Sequence, residues 1–150
     1  MPAAYYEDIS VGDTDAFGSY TVEKEDIVGF AEQYDPQPFH IDEDAAEQSM
    51  FGGLIASGWH TAAMTMRMIV DNTLRDSSAE GAVGVDELRW KQPVQPGDTL
   101  SVRTEVVEKE PWNDDLGLVH SGTTVYNQDD SEVMSMIGLT LYRMRDGNTE

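Results

Sequence analysis

Apolar positions follow two rhythms along this chain, helical in the first half and alternating in the second. After an irregular start, Ala16 to Val22 reads as a short strand. Glu25 to Tyr34 reads as a helix, with Ile27, Phe30, Ala31 and Tyr34 on one face. Pro36 and Pro38 then interrupt the pattern. Each proline biases its predecessor away from helical angles and lacks an amide donor, so Asp35 to His40 is expected to be a stiff, non-helical loop. Asp42 is placed to cap a short helical turn through Asp44, Ala45, Ala46 and Gln48, which Phe51-Gly52-Gly53 ends. A longer helix begins at Gly58. Its Trp59, Ala62, Ala63, Met66, Ile69, Val70 and Leu74 are spaced as one buried stripe.

That stripe needs a sheet to lie on, and the second half supplies one. Runs near Val83 to Lys91, Thr99 to Lys109, Leu116 to Asn127 and Glu132 to Arg145 read as strands. Gln95-Pro96-Gly97-Asp98 and Asn127-Gln128-Asp129-Asp130 mark turns between them. Leu100, Val102, Thr104 and Val106 alternate as a strand with one covered face should. Helices followed by neighbouring strands predict an α+β domain, a long helix against a mostly antiparallel sheet. At 150 residues, one such domain over residues 1–150 accounts for the chain.

Charge changes the picture of the surface and of the partners. Nine Lys and Arg face 29 Asp and Glu, a formal net charge of −20. Such a surface repels phosphate backbones and anionic lipid, so nucleic acid and membranes are not expected partners. The 39% of hydrophobic residues in periodic segments excludes a disordered acidic chain. Acid spread along a folded domain with few lysines fits a salt-rich cytoplasm, where concentrated ions screen the self-repulsion. The beginning of the chain has no basic start followed by an apolar run, and no stretch is long enough to span a bilayer, so a cytoplasmic location is expected. The absence of cysteine removes disulfides, thiolate metal sites and a cysteine nucleophile.

Candidate chemistry concentrates in one segment. Asp35 and His40 sit five apart in a loop stiffened by two prolines, which can present both side chains to one point. An imidazole titrates near neutrality, whereas an ordinary carboxylate is a weak base there. Downstream, Gly53-Leu54-Ile55-Ala56-Ser57-Gly58 leads into the long helix. A glycine there lets unpaired amides at a helix N-terminus approach a ligand and favour developing negative charge, although tight packing explains a glycine equally well.

Taken together, Tyr34-Asp35-Pro36-Gln37-Pro38-Phe39-His40-Ile41-Asp42, Ala45-Ala46 and Gly53-Leu54-Ile55-Ala56-Ser57-Gly58 resemble the hydratase signature of the MaoC-like dehydratases, which include the (R)-specific enoyl-CoA hydratases. Leu88 to Val94 with Pro96-Gly97-Asp98-Thr99-Leu100 is similar to the family's strand and turn after the central helix. The resemblance implies a hot-dog fold, in which the sheet wraps the central helix, and a homodimer. It implies Asp35 and His40 as a catalytic dyad adding water to an enoyl-CoA thioester without a cofactor. It also implies the Gly58 amide as the contact to the thioester carbonyl, with Ser57 beside it in the substrate pocket. Two positions depart from the family's usual residues: Ser57 where histidine is common, and Gln37 where asparagine is common. Both are expected to line the pocket and neither to touch the dyad.

Competing readings are weaker. Asp35, His40 and Asp42 are conceivable metal ligands, but His40, His60 and His120 show no recurring ligand spacing, so no metal site is expected. Ser57-Gly58 lacks the G-x-S-x-G elbow of a serine hydrolase. Met64, Met66 and Met68 read as core packing before an acyl-binding wall, and Trp112 with Asp114 and Asp115 as a solvated hairpin loop. CoA is itself an anion, so Arg67, Arg75, Arg89, Lys91 and Arg103 are the cations available to it. Two other functions stay open: a thioesterase in which Asp35 aims water at the thioester carbonyl, and a non-catalytic acyl-CoA-binding subunit.

Overall fold

A computed structural model describes residues 4–145. Strand β1 (Thr14–Thr21) leads into helix α1 (Lys24–Tyr34), two short helices α2 (Pro38–Ile41) and α3 (Glu43–Glu47), and the central helix α4 (Gly58–Ile69). Four long strands follow: β2 (Ala79–Trp90), β3 (Thr99–Pro111), β4 (Leu116–Tyr126) and β5 (Glu132–Arg143). All five strands form one antiparallel sheet in the order β1-β3-β4-β5-β2. This is the expected α+β hot-dog architecture, with β1 and β2 as its edges. The core joins Leu100 and Val102 of β3, Val125 of β4, and Val133 and Met134 of β5 to Ile27 of α1 and to Met64 and Met68 of α4. At the bulge in β1, Gly18 has φ +92°, and a Cβ there would lie 2.5 Å from the Met68 sulfur. Only glycine lets the edge strand close over the central helix at that point.

Two local expectations are corrected. The Asp35 to His40 segment is not wholly non-helical, because Pro38 opens α2 as its first residue. A proline there loses no helical hydrogen bond and its fixed φ already suits the turn. The stripe expected on α4 is rotated away from the core. Its buried residues are His60, Thr61, Met64, Thr65 and Met68, whereas Trp59 and Met66 are exposed. Thr65 Oγ1 donates to the Thr61 carbonyl at 2.8 Å, so a polar residue enters the core with its hydroxyl satisfied on its own helix. The methionine expectation therefore holds for Met64 and Met68 but fails for Met66. On α1, Ile27 and Ala31 are fully buried, while Tyr34 is exposed and leans on Phe30.

Helices α1 and α4 meet through His60, whose ring stacks on Phe30 with centroids 4.8 Å apart. Its Nδ1 is buried without a hydrogen-bond partner among the described residues. Burial pushes the His60 imidazole below its ordinary pKa, with Asp26 opposing the shift. The unfolded chain therefore takes up this proton first, at about pH 6.5, and the folded chain only at lower pH. Stability is expected to fall as pH drops below that point. In His60→Phe, which keeps the stack and removes the titration, urea unfolding at about pH 7.5 and 5.5 should differ less than in the parent chain. An equal loss in both would place the cause elsewhere.

Candidate functional site

The site is assembled at the junction of α1, α2 and the N-terminus of α4. Asp35 is the C-cap of α1, its N–H donating to the Ala31 carbonyl at 2.8 Å. From there the chain turns through Pro36 and Gln37 into α2, which carries His40. The segment Leu54 to Ala56 is buried beside it, with the Ile55 N–H on the Phe39 carbonyl and the Ala56 N–H on the Val94 carbonyl. It delivers Ser57 as the N-cap of α4.

The structure brings Asp35 and His40 together as expected, with Asp35 Oδ2 3.4 Å from His40 Nε2. His40 is 4% exposed, so its ring has little freedom. His40 Nδ1 lies 2.8 Å from the Ile55 carbonyl oxygen. A carbonyl can only accept, so Nδ1 carries a hydrogen and Nε2 is the ring nitrogen turned towards Asp35. At 3.4 Å from each other, Asp35 Oδ2 and His40 Nε2 are both within reach of a single shared water.

The expectation that Ser57 and Gln37 leave the dyad untouched is overturned. Ser57 Oγ donates to Asp35 Oδ2 at 2.7 Å, and Gln37 Nε2 donates to Asp35 Oδ1 at 2.7 Å. The Ser57 hydroxyl holds the Asp35 carboxyl below its ordinary pKa; burial opposes this, and Gln37 and His40 add to the lowering. A carboxylate held ionised in this way is a poor proton acceptor and a good orienting group.

The Ser57 hydroxyl and carbonyl also take up the next amides. Oγ accepts from the Trp59 N–H at 3.3 Å, and the carbonyl accepts from His60 at 2.9 Å and Thr61 at 3.0 Å. Among the described residues the Gly58 N–H has no partner. Gly58 is also closely packed, since a Cβ would lie 2.5 Å from the Trp90 ring. The packing reading of this glycine is seen in the Trp90 contact, and its amide lies unpartnered at a helix N-terminus among the described residues.

Other candidates lie apart. Asp42 caps α3 through the Asp44 and Ala45 amides, which occupies it structurally. Glu108, Glu110 and His120 place one donor atom each within 4.8 Å of one another, a grouping across β3 and β4 that a linear search for ligand spacing misses. Its two carboxylates are exposed, and His120 Nε2 lies 3.2 Å from Glu110. Of the cations, Arg67 and Arg75 both pair with Asp71, Lys91 with Glu132, and Arg103 lies over the Tyr126 ring. Arg89 reaches only the Leu88 carbonyl among the described residues. Trp112 is exposed in the β3–β4 hairpin loop, as expected. No helix among the described residues is long and apolar enough to cross a membrane.

The chain is similar to known proteins over most of its length. Residues 10–127 match the model of the MaoC like domain. The chain is 30% identical over 127 residues to the uncharacterised protein YdeM of Bacillus subtilis, covering 85% of this chain and 90% of that one. It is 34% identical over 109 residues to a 3-hydroxybutyryl-CoA dehydratase of Methylorubrum extorquens, covering 71% and 66%. Among solved structures, a MaoC-like dehydratase from Rhodospirillum rubrum superposes with a TM-score of 0.88 at 39% identity, covering 96% of this chain and 99% of that one.

Proposed function

The chain belongs to the MaoC-like dehydratase family, and on that premise we propose that it is a single-domain hydro-lyase adding water reversibly to the double bond of an enoyl-CoA thioester. One observation carries this reading: Asp35 Oδ2 and His40 Nε2 face each other at 3.4 Å next to the N-terminus of α4, where the Gly58 N–H has no partner among the described residues. The similarity to a 3-hydroxybutyryl-CoA dehydratase supports the substrate class.

In the proposed reaction, one water is held between Asp35 and His40. Its oxygen bonds to the β-carbon of the enoyl group while one of its protons passes to His40 Nε2. The displaced electron pair moves onto the thioester oxygen, where the Gly58 N–H receives it; a donor of this kind is typically worth ~10²–10³ in rate. The imidazolium then returns its proton to the α-carbon on the same face, restoring neutral His40. Asp35 orients the water and stabilises the imidazolium while it exists. No metal or cofactor takes part. The CoA moiety needs a cation, and of the five that the sequence offers for it Arg89 is uncommitted to an acid or a ring among the described residues.

Assembly is part of the proposal. The edge strand β2 is exposed over most of its length, with Val83, Val85 and Trp90 open, and Trp90 meets the exposed Trp59 of α4 at 4.9 Å. An apolar edge of this kind is what a second copy covers in a homodimer. A salt-rich cytoplasm is the setting in which two chains of charge −20 would associate.

The test is the absorbance of the enoyl-thioester band of crotonyl-CoA, in high-salt buffer, alongside an assay for free thiol. Loss of the band without thiol release is the expected result. Thiol release would make the chain a thioesterase. No change with crotonyl-CoA or with longer and branched enoyl-CoAs, from folded protein, would leave an acyl-CoA-binding subunit.

A further inference from the structure

Two side chains, Gln37 and Ser57, bond Asp35. Together they occupy both carboxylate oxygens, Gln37 on Oδ1 and Ser57 on Oδ2, each at 2.7 Å. Ser57 has no exposed surface, and its hydroxyl is used twice: its proton goes to Asp35 and a lone pair accepts the Trp59 N–H. The direction of that hydroxyl is therefore fixed by the first turn of α4. Nothing comparable is needed to hold His40, which is buried and tied to Ile55.

We propose that Ser57 is a positioning residue: from the N-cap of α4 it clamps the Asp35 carboxylate, with Gln37 as the second jaw, so that Asp35 orients water and His40 alone exchanges the proton. The inference deepens the hydratase reading and rests on it for its kinetic consequence, but the clamp itself is a property of the free protein. It also ties the two halves of the site together. The residue that fixes Asp35 immediately precedes the amide proposed to receive the thioester oxygen, so movement of the α4 N-terminus would displace both at once. Physical chemistry supports the division of labour. A hydroxyl and an amide donating to a carboxylate stabilise its charged form, and every such bond must be given up or weakened if the carboxylate takes a proton.

The experiment compares Ser57→Ala and Gln37→Leu with the parent chain by two readouts. One is hydration kinetics. The other is the pH titration of the Asp35 carboxyl carbon by ¹³C NMR, assigned with Asp35→Asn. Ser57→Ala is expected to lower kcat about tenfold to a hundredfold, the scale of one hydrogen bond to a charged group, with KM changed less than about twofold. The Asp35 midpoint should move upward. Gln37→Leu leaves the α4 cap in place and should shift the midpoint the same way by less, so it tests the clamp even if Ser57→Ala fails to fold. An unmoved Asp35 midpoint in the folded variants overturns the proposal, as does a rise in KM at constant kcat, which would make Ser57 a substrate contact. If no enoyl-CoA is hydrated yet the midpoint moves, the hydratase reading fails and the clamp stands.

Discussion

Asp35→Asn and His40→Ala are each expected to lower the hydration rate by ~10²–10⁴, the usual range for a positioned acid or base, without releasing thiol from the substrate. The two losses have different causes. His40→Ala removes the ring nitrogen proposed to take the proton, while the Asp35 carboxyl is held below its ordinary pKa chiefly by the Ser57 hydroxyl. Asp35→Asn keeps the shape and an acceptor for Ser57 but removes the negative charge 3.4 Å from His40 Nε2. The imidazolium formed after proton uptake is then less stable, and the water is less well aimed. Because both groups act on one water, their losses should not add, and the double variant is expected to be about as slow as the slower single one. Additive losses, measured by the same absorbance assay, would mean that the two residues serve separate steps.

Much of this site was legible in the chain because it is local. Asp35 and His40 lie within six residues, and the prolines between them limit what the backbone can do; only the helical start at Pro38 was missed, since proline fits the first position of a helix as well as a loop. The strands were legible for a similar reason, because alternation such as Leu100, Val102, Thr104 and Val106 reports a covered face directly. What failed was long-range. That Ser57 reaches Asp35, 22 positions away, follows from how α4 docks against α1 and α2, and no periodicity encodes it. The face of α4 was misread because threonine can enter a core by bonding its own helix, and because an apolar stripe names a surface to be covered without saying by what.

That uncovered stripe leads to the second large effect. Val85→Lys is expected to convert a homodimer into a monomer in high salt, and to remove most of the activity if the pocket lies near the interface. Val83 is 46% exposed and Val85 50% on the edge strand, and Trp59 59% and Met66 47% on the helix. Left bare, the edge strand β2 offers unpaired backbone groups and apolar side chains to any second strand. Burial of this surface favours association, while the formal charge of −20 on each copy opposes it. Salt decides the balance: the screening length is ~3 Å at 1 M but ~30 Å at 0.01 M, so repulsion spread over the whole surface is removed in the first case and felt in full in the second. Sedimentation in concentrated KCl should therefore find a dimer that comes apart on dilution into low salt, and Val85→Lys should be monomeric in both. A parent chain that stays monomeric in concentrated salt would refute the assembly. The exposed face of α4 and β2 would then need a different partner, while the dyad chemistry, held within one chain by Asp35, His40 and Ser57, would be unaffected.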